Sequence, residues 1–140
     1  MDDPRKKLTL PACIQNLESF QEFITACARG HSLPEDRILK LQLGSEEALM
    51  NIFSYAYPED APGDVSVGCF LSDKHHLLIS FEDNGPAFNV LSVEDPDTGL
   101  SLEERTVGGL GIFFIKKMID DVWYARKENK NILTFRMALP

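Results

Sequence analysis

The sequence predicts an α/β (α+β) fold of two layers, a mixed sheet covered on one face by about three helices. Two early stretches, residues 14–27 and 38–56, carry apolar side chains at helical spacing. Four later runs, 65–71, 77–81, 122–125 and 132–137, are short, apolar and grouped in pairs about turn residues. The helices come together before the strands and once among them. A regular strand–helix alternation, the mark of a doubly wound parallel sheet, is missing.

The elements follow in order. Residues 6–12 alternate as a strand, and Ile14, Leu17, Phe20, Ile24 and Cys27 continue as an amphipathic helix that Gly30 ends. Ser32-Leu33-Pro34-Glu35 resembles a helix entrance, with a polar capping candidate and a proline near the first turn. The helix it opens carries Ile38, Leu41, Ala48, Leu49, Ile52 and Ala56, and Pro58 closes it. Residues 58–64 form a loop, and the runs 65–71 and 77–81 a hairpin that leaves Asp83 at a strand end. Residues 89–107 are polar and exceed the ~12–15 residues of a plain connection, which suggests a functional lid. A buried helix over 110–119 and a closing hairpin around residues 127–131 complete the chain.

With 140 residues, a single domain over 1–140 is expected, burying about 68% of its unfolded surface. The formal charge of −8 would repel a phosphate backbone, which disfavours direct nucleic-acid binding but leaves ATP, whose charge backbone amides and a metal can meet locally. No stretch approaches the ~18 apolar residues that span a bilayer, and the start lacks a basic segment followed by an apolar run. A cytoplasmic location without membrane contact is the expectation. Cys13, Cys27 and Cys69 show no paired spacing and read as reduced, partly buried thiols. His31, His75 and His76 lack neighbours that would complete a metal-ligand set.

Three short signals carry the chemistry. Glu47 and Asn51 lie four apart and so share one helix face. The Asn51 amide oxygen suits magnesium, a hard cation that keeps several waters, while Glu47 is free to orient or deprotonate an attacking hydroxyl. A solvated helix face is the competing use of such a pair. Asp83, followed by Asn84 and Gly85, is an acceptor-only carboxylate suited to the amino group of adenine, and Gly85 permits close backbone approach. An ordinary strand-ending turn would use the same residues. Gly108, Gly109 and Gly111 around Leu110 enter a helix, where unpaired amides favour an anion. This is neither a Walker A loop nor a dinucleotide fingerprint, and a flexible loop end is the alternative.

In this order the segments Ser45–Asn51, Asp83–Phe88 and Leu102–Ile112 resemble the three nucleotide-binding boxes of the GHKL ATP-binding superfamily. They are most similar to bacterial anti-sigma factor serine kinases of the RsbW and SpoIIAB type, over nearly the whole chain. The resemblance implies the GHKL type of α/β sandwich, with ATP and Mg2+ between helices and a mobile lid. It also implies transfer of the terminal phosphate to a serine or threonine of an anti-sigma-factor antagonist protein, sequestration of a sigma factor, and a homodimer. Carried over by position, Glu47 is the base, Asn51 the magnesium ligand, and Asp83 and Thr134 the adenine contacts. Gly85, Gly109 and Gly111 become the close backbone positions, and Arg105 a phosphate contact or a solvated lid charge. One departure is visible: Ile52-Phe53-Ser54-Tyr55 stands before Ala56-Tyr57-Pro58, where this family often has a basic residue and a histidine. An ATP-binding regulatory module without transfer, and a slow ATPase, are the alternatives.

Overall fold

In the computed structural model, residues 6–92 and 115–140 are described. Five strands form one sheet: β1 (Lys6–Pro11), β2 (Asp64–Asp73), β3 (His76–Asp83), β4 (Asp121–Lys127) and β5 (Lys130–Ala138). Between β1 and β2 lie the helices α1 (Leu17–Gly30) and α2 (Glu35–Tyr55), and residues 115–118 are helical ahead of β4. The spatial order is β1-β2-β3-β5-β4.

Among the described residues all four pairings are antiparallel, which corrects the expected mixed sheet. Connectivity explains this. Two helices intervene between β1 and β2, so the chain reverses twice and β2 starts at the end where β1 finished. Strands β3 and β4 do run parallel, since each is antiparallel to β5, but β5 lies between them. The consecutive strands β3 and β4 are therefore parallel without being paired.

Alternation along the strands separates two faces. Val65, Val67 and Cys69 of β2, Leu77, Ile79 and Phe81 of β3, and Leu133, Phe135 and Met137 of β5 join one buried cluster. Phe20 and Ile24 of α1 and Ile38, Leu41 and Leu49 of α2 complete it, so the helices cover this face. Gly44 allows the close packing of α2: a Cβ there would lie 3.1 Å from Ile119 and 3.4 Å from Phe135. At the centre Phe81 and Phe135 meet edge to face, ring centroids 4.9 Å apart. The opposite face is polar at the β1 side, where the Thr9 and Ser66 hydroxyls lie 2.7 Å apart and Lys7 pairs with Glu82 at 3.2 Å.

Three local expectations change. Pro34 is the N-cap of α2, with extended ψ of 152°, and no side chain caps the helix. The closing hairpin turns on two residues only, Glu128 and Asn129, both left-handed at φ 54° and 64°, the pattern of a type I′ turn. The wider loop read from the sequence would have left Asn131 outside the strand; the tight turn brings it into β5. The reading of three reduced thiols is also corrected: a disulfide joins Cys27 of α1 to Cys69 of β2, and Cys13 alone is free. The helix layer brings together two cysteines 42 residues apart, a separation without a sequence signal.

Among the described residues, no helix is long and apolar enough to cross a membrane.

A candidate nucleotide site at the end of the third strand

Between the C-terminal half of α2 and the end of β3 lies a cavity of about 310 Å³. Ala48, Asn51, Ile52 and Tyr55 line it from α2, at the helical spacing that puts them on one face. Phe81 and Asp83 line it from β3, Asn131 and Leu133 from β5, and Tyr124 from β4. Residues 86–88 close one side, and Tyr55 and Phe88, each more than half exposed, stand there as large aromatic surfaces. The described lining contains one carboxylate and no Lys, Arg or His.

Asp83 is buried among these apolar groups, and its charge is met locally. Its Oδ1 accepts the Gly85 amide at 2.9 Å and the Asn131 side-chain amide at 3.0 Å. Both bonds end on the same oxygen, so Oδ2 is the acceptor left for a ligand. Asn131 is the register partner of Asp83 across β3 and β5, and parity places both on the cavity face. The loop after Asp83 is tied down further: Arg126 donates to the Gly85 carbonyl at 2.8 Å, and the Asn84 amide donates to the Tyr57 hydroxyl at 2.7 Å. Tyr57 in turn donates to the Asp64 carbonyl at 2.6 Å, linking the end of α2 to the start of β2.

Asn51 is buried, and its amide nitrogen has no hydrogen-bond partner. A buried donor without an acceptor is costly, about 1–3 kcal/mol, so this amide suits a ligand oxygen. A half-turn of the amide would present its oxygen to a cation instead. Glu47 lies one turn earlier on α2, half-buried and outside the cavity lining. Burial pushes its carboxyl above the ordinary range, and the neighbouring Glu46 charge adds to the effect. Among the described residues, no group of three His, Cys, Asp or Glu could hold a metal ion.

The predicted residues thus divide. Asn51 and Asp83 share the cavity, with Glu47 a turn away. Gly85 makes its close approach to the end of α2: a Cβ there would lie 2.4 Å from the Ala56 carbonyl oxygen. Thr134 does not line the cavity; it pairs with Ser80 and Trp123, and the parity that turns Leu133 inward turns Thr134 to the opposite face. Asn131, which the sequence reading did not single out, is the residue beside Asp83. Counting back from Asp83 through an antiparallel register would have found it. Arg105, Gly109 and Gly111 lie outside the described residues.

A model of the histidine kinase-like ATPase domain matches residues 10–137 of the chain. The chain belongs to this family. As a histidine kinase-like ATPase domain it is 26% identical over 119 residues to the serine-protein kinase RsbW of Listeria monocytogenes, covering 82% of this chain and 75% of that protein. With the serine-protein kinase RsbW of Bacillus mycoides it shares 24% identity over 131 residues, 91% of this chain and 81% of the other. A third RsbW, from Oceanobacillus iheyensis, is 29% identical over 92 residues, and the match spans 57% of that protein. The fold is shared with a solved chain carrying RsbU and RsbW domains from Mycobacterium tuberculosis, at a TM-score of 0.68 and 13% identity. That likeness covers 99% of this chain and 34% of the solved one, and at such identity it concerns fold alone.

Proposed function

We propose that this ATPase-family domain, a single unit over residues 1–140, is an ATP-dependent protein serine/threonine kinase of the anti-sigma factor type. Its acceptor would be a serine or threonine on an antagonist protein, and its second partner a sigma factor that it sequesters. The observation that carries the reading is a buried carboxylate, Asp83, facing an apolar cavity into which an unpartnered amide, Asn51, also opens. RsbW kinases among the relatives supply the direction of the reading.

The residues fit the nucleotide. Asp83 would accept from the adenine amino group, while guanine would set a carbonyl against it. Tyr55, Phe88 and Tyr124 offer aromatic surface for a base. Asn51 would hold magnesium through its amide oxygen, with waters and phosphate oxygens completing the shell. When bound, magnesium ATP supplies the phosphoryl group to be transferred and neutralises part of its charge.

Glu47 would take the proton of the attacking hydroxyl. A carboxyl raised by burial is a stronger base once ionised than a solvated one. Gly109, Gly111 and Arg105 are proposed as phosphate contacts on the strength of the sequence resemblance. A cytoplasmic location and a homodimer belong to the same reading.

Incubation with terminally labelled ATP, magnesium and candidate antagonist proteins tests the proposal. Label on a serine or threonine of one acceptor, lost in Glu47→Gln, supports it. Release of free phosphate alone would make the protein a slow ATPase, and binding without turnover a regulatory module.

A further inference from the structure

Asn131 has an amide with two donor hydrogens and an acceptor oxygen, and the structure employs all of them. Its Nδ2 donates to Asp83 Oδ1 at 3.0 Å and to the Pro86 carbonyl at 2.8 Å. Its Oδ1 accepts the Tyr124 hydroxyl at 2.5 Å and the Phe88 amide at 3.1 Å. The residue is buried, and this bonding leaves it nothing to offer a ligand in the cavity. Its contacts instead reach the groups that would touch one: the carboxylate of Asp83 and the segment 86–88 that walls the cavity.

We propose that Asn131 is a positioning residue that sets purine selectivity through Asp83, an inference that rests on the ATP reading above. With Oδ1 held by both Asn131 and the Gly85 amide, the Asp83 carboxylate cannot turn about its Cβ–Cγ bond without breaking two bonds. Its remaining oxygen therefore meets a ligand in one orientation. A fixed acceptor discriminates sharply between a 6-amino purine and a 6-oxo purine, because the oxo group cannot donate. A carboxylate free to swing can move away from the oxo group and admit a water between them, and the discrimination collapses. Tyr124 takes part at one remove by fixing the amide from its oxygen side.

The test compares binding of ATP and ITP, which differ at the 6-position and at N1, protonated in the oxo form, in the presence of magnesium. The wild type is expected to prefer ATP by about tenfold or more, the consequence of an unpaired buried acceptor. In Asn131→Ala the ratio should fall toward one, mainly through loss of ATP affinity. Tyr124→Phe should give an intermediate ratio. Asn131→Thr, whose hydroxyl can still donate one bond to Asp83 but cannot bridge to Pro86 and Phe88, should keep more of the ratio than Asn131→Ala while binding both nucleotides more weakly. Equal weakening of ATP and ITP across the series, with the ratio unchanged, would mean that Asn131 only stabilises the loop, and would overturn the proposal. If Asn131→Ala loses its cooperative thermal unfolding, the ratios of the Tyr124→Phe and Asn131→Thr variants decide. A wild type that binds neither nucleotide would refute the ATP reading itself, an outcome distinct from an unchanged ratio.

Discussion

Asp83 and Asn131 face each other as register partners across β3 and β5, and the Asn131 amide donates to Asp83 Oδ1 at 3.0 Å. An ionised carboxylate in an apolar cavity is tolerated only when its charge is met by hydrogen bonds. Here the partner strand and the following turn each supply one, and one oxygen is left over. The same pairing makes the cavity a product of strand register as much as of the Asp83-Asn84-Gly85 turn.

Glu47→Gln should leave ATP affinity unchanged and lower phosphoryl transfer by about 10²–10⁴-fold, the usual contribution of a general base. Because burial beside Glu46 raises the Glu47 carboxyl and the base must be ionised, transfer should rise with pH through a value above the ordinary carboxylate range. Stability has the opposite sign. The folded chain holds this proton more tightly than the unfolded chain, so the group's contribution falls as pH rises through the raised value. Glu47→Gln should therefore melt above wild type near pH 7.5, with the difference vanishing below pH ~4, where Glu47 is protonated in both states. Thermal unfolding at the two pH values checks this.

Gly85→Ala should destabilise the fold by about 1–3 kcal/mol in a urea titration, since its Cβ would meet the Ala56 backbone, which cannot swing aside. Gly30→Ala is the matched control. Nothing lies within 4 Å of a Cβ at that position, and it closes α1 without a positive φ. It should be neutral or stabilising by up to about 1 kcal/mol.

Thr134→Val should leave ATP affinity within about twofold of wild type, because Thr134 lies on the sheet face away from the cavity. Thr134 is buried, and the expected stability change is within about 1 kcal/mol. Calorimetric titration beside a thermal melt separates the two quantities.

Much of the architecture was legible because periodicity reports burial directly. The helical spacing of Phe20 and Ile24, or of Ile38, Leu41 and Leu49, is the spacing of the face that packs on the sheet. Asp83 at a strand end and Asn51 on the α2 face were legible for the same reason. What failed was pairing. The turn at Glu128-Asn129 is a two-residue type I′ turn without glycine, so the hairpin read as a longer loop and Asn131 fell out of the strand. Thr134, carried over by resemblance as an adenine contact, has the strand parity opposite to Leu133, which lines the cavity. The mixed sheet failed because insertion of β5 between β3 and β4 is a choice of partners that no local pattern encodes. The Cys27–Cys69 bond depends in the same way on how α1 lies over β2.

Calorimetric titration of ATP with and without magnesium, into wild type, Asp83→Asn and Asn51→Ala, tests the central claim most directly. The account predicts magnesium-dependent binding to wild type, a loss of about 10–100-fold in Asp83→Asn from the ~1–3 kcal/mol of a mismatched buried group, and loss of the magnesium dependence in Asn51→Ala. Asparagine at position 83 keeps an oxygen for the Gly85 amide, so that variant should unfold cooperatively like wild type. Equal ATP affinity in wild type and a folded Asp83→Asn would contradict the account, because the cavity at the end of β3 would then not be where adenine is read.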